Sequence, residues 1–461
     1  MSAAKKTRKE SDYLGSVNVP ADAYYGAQTE RAVKNFPISG IRFPAEFIKS
    51  YAVIKKSAAI ANARARVLDK RKSAAIVKAC DEVIQGKLLN QFVVDIYQAG
   101  AGTSTNMNLN EVIANRAITI LKGSKGDYKM IHPHDDVNKS QSTNDTFHSA
   151  VHITTLKMLE EDLIPALEEM SREFHKKAKK FSKIIKPGRT HLMNAAPISL
   201  GQEFGGYAVT IDRSVEYLRK SMELLYELNI GGTAMGTGIN APKGFSGSVL
   251  REINRATKRK FTKAKDYFAA TQNTTAELQV SGALRMAAVS VIKISGDIRL
   301  MSSGPISGFR EITLPPVQPG SSIMPSKINP SMAEMLEMVA YQVIGNDTTI
   351  AFSTKASQFE INVMMPVIAY NLLHSIEILA HAVTAFTRKA VVGIKPNVRL
   401  LKEISERNPF AATALVPYIG FDEAASVVRE VIDKDRTIVE VVLRRKLMDR
   451  KKLEKILKRT V

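Results

Sequence analysis

The run Pro319-Gly320-Ser321-Ser322-Ile323-Met324-Pro325-Ser326-Lys327-Ile328-Asn329-Pro330 concentrates hydroxyls, one lysine and one amide between prolines. A Gly-Ser-Ser segment can turn backbone N–H groups toward an anion. Lys327 and Asn329 suit a carboxylate, the first as a point charge and the second as an amide donor. The apolar-rich run from Met332 reads as a helix, whose N-terminal dipole favours negative charge. On residue types alone this is an anion-binding loop carrying a serine base or nucleophile. The plain alternative is a surface turn.

Further polar blocks precede it. Gly102-Thr103-Ser104-Thr105-Asn106-Met107-Asn108 runs on through Asn110-Glu111, and Ser140-Gln141-Ser142-Thr143-Asn144-Asp145 and Gly188-Arg189-Thr190-His191 follow. Thr103, Ser142, Thr143 and Asn144 supply hydroxyls and an amide suited to a carboxylate and a leaving group. A Ser-Thr-Asn-Asp run is also a common helix N-cap, with Asn144 or Asp145 as further capping candidates. Together with the loop, whose pattern is G-S-S-x-M-P-x-K-x-N-P, these blocks resemble the aspartase/fumarase superfamily in its own motif order. The similarity extends from about Asp12 to the C-terminal region.

That resemblance implies an α,β-elimination on a small dicarboxylate through an aci-carboxylate intermediate, with no organic cofactor. Ser321 matches the family's catalytic base; an unassisted hydroxyl is a poor base, so loop N–H groups and nearby charge must stabilise its alkoxide. Lys327 matches the residue that pairs with a substrate carboxylate, and Asn329 lies beside it. Thr103, Ser142, Thr143 and Asn144 match substrate-binding residues contributed by other subunits. Thr190 and His191 match residues next to the other carboxylate. Glu334 matches an acid that orients His191 and raises its basicity, which makes His191 a binding and electrostatic residue rather than the base.

Local features lean toward elimination of ammonia from L-aspartate. Thr143 stands where fumarases typically have serine, and Ala101 where they carry a substrate-binding serine. Phe359-Glu360-Ile361-Asn362-Val363-Met364-Met365-Pro366 and Ala270-Thr271-Gln272-Asn273-Thr274 lean the same way. Pocket differences of one methyl are worth only about 1–3 kcal/mol, so removal of water from L-malate is the alternative. Some positions depart from the family pattern: His134 and Asp136 in the stretch that forms a secondary anion site in fumarases, Met193-Asn194, and His148 where proline is common. That secondary site is therefore not carried over.

The elements that must position these residues are mainly helical. Leu156, Leu159, Leu163, Leu167, Met170 and Phe174 recur every three or four residues, as do Phe204, Tyr207, Ile211, Val215, Leu218, Met222 and Leu225. Residues 278–301 are apolar on more than one face and read as a helix buried all round. Strand-like alternation is scarce. Residues 229–244 read as an ordered Gly-rich loop, and Gly393-Ile394-Lys395-Pro396-Asn397 as a boundary. The expected division is 1–140, 141–397 and 398–461. The resemblance implies a three-domain fold with a long central helix bundle, in a homotetramer with a twenty-helix core and active sites shared by three subunits.

Composition narrows the class further. The 461 residues are 44% hydrophobic, enough for a sizeable core, with no apolar run near 18 residues, so no transmembrane helix and no membrane partner are expected. The basic start MSAAKKTRKESDY lacks the apolar region of a secretory signal. A single Cys80 excludes an internal disulfide and fits a reducing, cytoplasmic setting. No Cys/His cluster has zinc spacing, and no nucleotide-binding motif is present: Gly100-Ala101-Gly102 lacks the third glycine of a dinucleotide fingerprint. The net charge of +21 allows an acidic partner. Its densest runs, at 5–9, 176–180, 258–260 and 444–458, lack interleaved aromatics and read as solvated faces rather than a nucleic-acid surface. The same charge would concentrate a dicarboxylate. A basic scaffold-type binder built on this fold is the reading of a different class.

Overall fold

The computed structural model describes residues 6–458, so Lys5 of the first basic run lies outside the described residues. The fold is mainly helical. The chain forms two compact units, one holding residues up to 163, 217–285 and 342–378, the other 164–216, 286–341 and 379 onward.

In the first unit, the helices Ala45–Arg64, Lys70–Ile84, Thr103–Ile120 and Thr143–Met158 pack together, and an aromatic cluster joins the first of them to the last. Phe43, Phe47, Tyr51 and Phe147 meet there at centroid distances from 4.7 to 6.1 Å. Gly102 starts the Thr103–Ile120 helix with φ at 89°, and a Cβ added there would lie 2.1 Å from the Phe147 ring. Only glycine brings this backbone so close to an aromatic face. The same unit holds the buried ends of three long helices. Ser281 Oγ donates to Asp347 Oδ1 at 2.6 Å, and Asn346 Nδ2 to Ser375 Oγ at 2.9 Å.

In the second unit, Leu167, Met170 and Phe174 are fully buried on the Ile164–Lys180 helix, as the periodicity predicts. Phe204 and Ile211 are buried on Leu200–Ser221, and Phe204 meets the Phe174 ring. Tyr207 donates to Asp297 Oδ2 at 2.9 Å, tying Leu200–Ser221 to Thr275–Met301. Residues from Ala412 to Ile456 form a small core of their own, centred on Leu415, Val427, Val441 and Leu453.

One outcome differs from the sequence reading. Residues 278–301 are not buried on every face in the chain, because Met286, Val289 and Leu300 are exposed. Strands are few, as the scarce alternation predicts: β1 (Thr7–Asp12) pairs antiparallel with β2 (Gly15–Pro20), and β3 (Ile185–Thr190) with β4 (Met193–Ser199). The helices Thr275–Met301 and Met365–Gly393 are long and apolar enough for a membrane span by length and composition. Half or more of each is buried in protein, and Glu277 is ion-paired inside the first, so both read as core helices.

Candidate active site

The 319–330 loop is closed by its own backbone and one side chain. Gly320 N–H donates to Lys327 O at 2.8 Å, and Asn329 Nδ2 donates to Gly320 O at 2.7 Å. A Cβ on Gly320 would lie 2.5 Å from Lys327 O, so the closure needs glycine. Within the loop, Ser321 Oγ accepts N–H bonds from Ile323 at 3.2 Å and Met324 at 2.9 Å. Two aligned donors on one hydroxyl oxygen favour negative charge there. Ser321 and Lys327 line a cavity of about 610 Å³ formed by residues 316–328. Lys327 is exposed and Ser321 half-buried. Glu334 lies in the first turn of Ser331–Lys355, whose N-terminus follows the loop directly.

Thr190 and His191 occupy the tip of the β3–β4 hairpin. Thr190 pairs with Met193, leaving His191 and Leu192 as a two-residue loop. Both have positive φ, 57° and 61°. Such loops normally carry Asn-Gly or another residue pair tolerant of this region, and Leu192 has neither property. The tip is therefore strained, at roughly 1–2 kcal/mol per residue, and it is exposed.

The remaining candidates lie on the first unit. Thr103 is the first residue of its helix, and its Oγ1 donates to Gly100 O at 3.2 Å. Ser142 is the N-cap of Thr143–Met158, with Asp145 returning the bond to its N–H at 2.9 Å. The cap is thus Ser142, not Asn144 or Asp145. Asn144 Nδ2 donates to Ala234 O at 2.6 Å, and Thr143 is buried. Ser142, Gln141, Asn138, His134 and Thr233 line a cleft of about 880 Å³.

Asp145 is the residue whose importance the sequence understates. Its Oδ2 accepts N–H bonds from Gly231 at 3.0 Å and Thr233 at 3.2 Å, fixing the Gly-rich loop against the helix start. Burial pushes its carboxyl up to about 6 despite these bonds. Nearby Lys55 is fully buried and donates to Asn138 Oδ1 at 3.0 Å. Burial pulls its ammonium down to about 7, an effect that the Asp145 charge opposes. The only sequence signal for Asp145 is its place three residues after Ser142 in a capping box.

The second unit thus holds Thr190, His191, Ser321, Lys327, Asn329 and Glu334, and the first holds Thr103, Ser142, Thr143 and Asn144. The loop brings Ser321, Lys327 and Asn329 together. Among the described residues, no hydrogen bond or ion pair within the chain joins His191 to Glu334 or the hairpin tip to the loop. Of the departures, His134 lines the cleft and contacts Gln28 at 2.7 Å, while Asp136 is ion-paired to Lys72 at 2.9 Å. His148 is buried on Thr143–Met158.

Comparison with known proteins places these sites in context. Residues 15–345 match the family described as lyase, and residues 412–460 the one described as fumarase C C-terminus. The chain is 46% identical over 450 residues to an aspartate ammonia-lyase from a Bacillus species, covering 98% of this chain and 96% of that protein. It is also 46% identical over 437 residues to a class II fumarate hydratase from Thermosynechococcus vestitus, covering 95% and 94%. Among solved structures, a fumarate lyase:delta crystallin from Brucella melitensis superposes with a TM-score of 0.95 at 43% identity, over 99% of both chains. A class II fumarase from Schistosoma mansoni gives the same TM-score at 36% identity, over 99% of this chain and 98% of that one.

Proposed function

The chain belongs to the aspartase/fumarase superfamily of lyases, and on that premise we propose that it is an aspartate ammonia-lyase, converting L-aspartate reversibly to fumarate and ammonia. The observation that carries the proposal is the pair of N–H donors on Ser321 Oγ. A hydroxyl held this way is stabilised as an alkoxide, which is what a serine base requires.

In this reading Ser321 takes a proton from the carbon beside the distal carboxylate. The C–H electron pair moves into that carboxylate, giving the aci-carboxylate. Lys327 offers a cation to the added charge, a contribution that is often the largest single term in such catalysis. The pair then returns to form the carbon–carbon double bond as the C–N bond breaks, and the ammonium group leaves as neutral ammonia with its bonding electrons. Thr103, Ser142, Thr143 and Asn144 hold the substrate and leaving group, Thr190 and His191 the other carboxylate, and Glu334 orients His191. Since no hydrogen bond or ion pair joins His191 to Glu334 among the described residues, the reading takes these two residues from different copies. A homotetramer with active sites shared by three subunits meets that need. Exposed Met286 and Val289 on one long helix, and Met338 and Phe352 on another, are surfaces suited to such contacts.

Thr143 and Ala101, both buried, are the positions that favour ammonia over water as leaving group. The equal 46% identity to a class II fumarate hydratase supports the second reading, dehydration of L-malate by the same base. Following fumarate absorbance with L-aspartate and L-malate in parallel separates them. Product from L-aspartate alone is expected; product from L-malate alone would make the chain a fumarate hydratase.

A further inference from the structure

The exposed hairpin tip has a buried anchor. Lys186, on β3, is 1% exposed in its side chain, and its Nζ meets Glu311 Oε2 at 2.5 Å and Glu203 Oε2 at 2.7 Å. Glu311 is completely buried, and its other oxygen lies 2.7 Å from Arg189 Nη1. That second contact is off the angle of a hydrogen bond, so it is held by charge. The Arg189 guanidinium also stacks over the Phe309 ring at 4.5 Å. One carboxylate therefore holds two cations of the same strand, on either side of the bulge at Gly188. A Cβ at Gly188 would lie 2.9 Å from Ala196 O, so the bulge needs glycine.

Glu311 is itself fixed at both ends of its peptide. Its N–H donates to Met301 O at 2.8 Å, and its carbonyl accepts Asn397 N–H at 2.8 Å. Arg189 is bonded directly to Thr190, and His191 follows. The side chains of Thr190 and His191 have no hydrogen-bond partner among the described residues. What holds the tip in its strained geometry is therefore the stem. Without the Glu311 charge, Lys186 would keep only Glu203 and Arg189 would lose its carboxylate partner, and a buried cation without its partner is costly.

We infer that Glu311 is a positioning residue, which sets the place of Thr190 and His191 through Lys186 and Arg189 without touching substrate. The inference rests on the reading above, in which His191 meets a substrate carboxylate. The anchor itself does not depend on that reading.

The test uses purified full-length Glu311→Gln, Glu311→Asp and Arg189→Lys. Hydrogen exchange over residues 186–196, without substrate, reads the hairpin. KM and kcat read the site, with whichever of L-aspartate and L-malate the wild type turns over. Glu311→Gln is expected to speed hairpin exchange about fivefold or more. It should also raise KM about tenfold, with a smaller change in kcat, as loss of a binding contact does. Glu311→Asp keeps the charge and gives smaller changes in both. If Glu311→Gln does not fold, Arg189→Lys, which leaves the Lys186 pair intact, carries the same two readouts. Unchanged exchange overturns the anchor, and faster exchange with a wild-type KM overturns the positioning role. If the wild type turns over neither substrate, the functional reading fails and exchange alone decides the anchor.

Discussion

At the scale of single residues, the candidate chemistry depends on how burial and backbone donors alter ordinary groups. The proposed base, Ser321, depends on the two N–H bonds on its oxygen. His148 is the opposite case, a titratable group buried away from any proposed role. Burial holds it at about 4 against 6.5 in the unfolded chain, with Glu277 pulling the other way and His152 adding to the shift. Between those values the unfolded chain binds a proton that the folded one refuses. The stability carried by neutral His148 is thus present above pH 6.5 and lost as pH falls toward 4. That loss amounts to up to about 3 kcal/mol. His148→Leu should flatten the fall by that amount in unfolding curves taken across the window; a variant that loses stability as steeply as the wild type would refute this assignment.

At the scale of elements, the hairpin and the loop place side chains by opposite means. The 319–330 loop is closed by Gly320 and Asn329, both visible in its sequence, although a bond between residues nine apart is not. The hairpin tip has no turn chemistry to reveal it: His191-Leu192 adopts positive φ because the anchored stem imposes it. Leu192→Val should lower the melting temperature by the equivalent of about 1 kcal/mol, since β-branched residues tolerate this region worst. Leu192→Gly should not lower it. Equal effects of the two would mean that the tip is unstrained. The periodic runs told more. The Leu156–Phe174 and Phe204–Leu225 spacings gave the buried faces of their helices, because a 3.6-residue repeat is imposed by geometry alone. The Ser142–Asp145 run was legible as both cap and binding block, but the long-range bonds from Asp145 to Gly231 and Thr233 were not. Local patterns do not encode which distant backbone a carboxylate will meet.

At the scale of the whole molecule, the chain leaves apolar side chains exposed on its longest helices, Phe352 at 70% and Met338 at 67%. A monomer gains nothing from such exposure. The proposed tetramer would bury these surfaces, and Phe352→Glu is expected to shift native mass from four chains toward smaller species in light scattering. A wild-type monomer would contradict the shared-site reading. The net charge of +21 acts at this scale too, favouring anions near the protein in a salt-dependent way. The candidate residues are divided between the two units and lie on several separate segments of the sequence.

The most direct measurement is the steady-state rate of fumarate formation from L-aspartate by the wild type and by Ser321→Ala. The expected result is measurable turnover by the wild type and a loss of at least about a thousandfold in kcat in the variant, the scale at which essential catalytic groups act, with the melting temperature unchanged. Wild-type turnover retained in Ser321→Ala would contradict the assignment of Ser321 as the base.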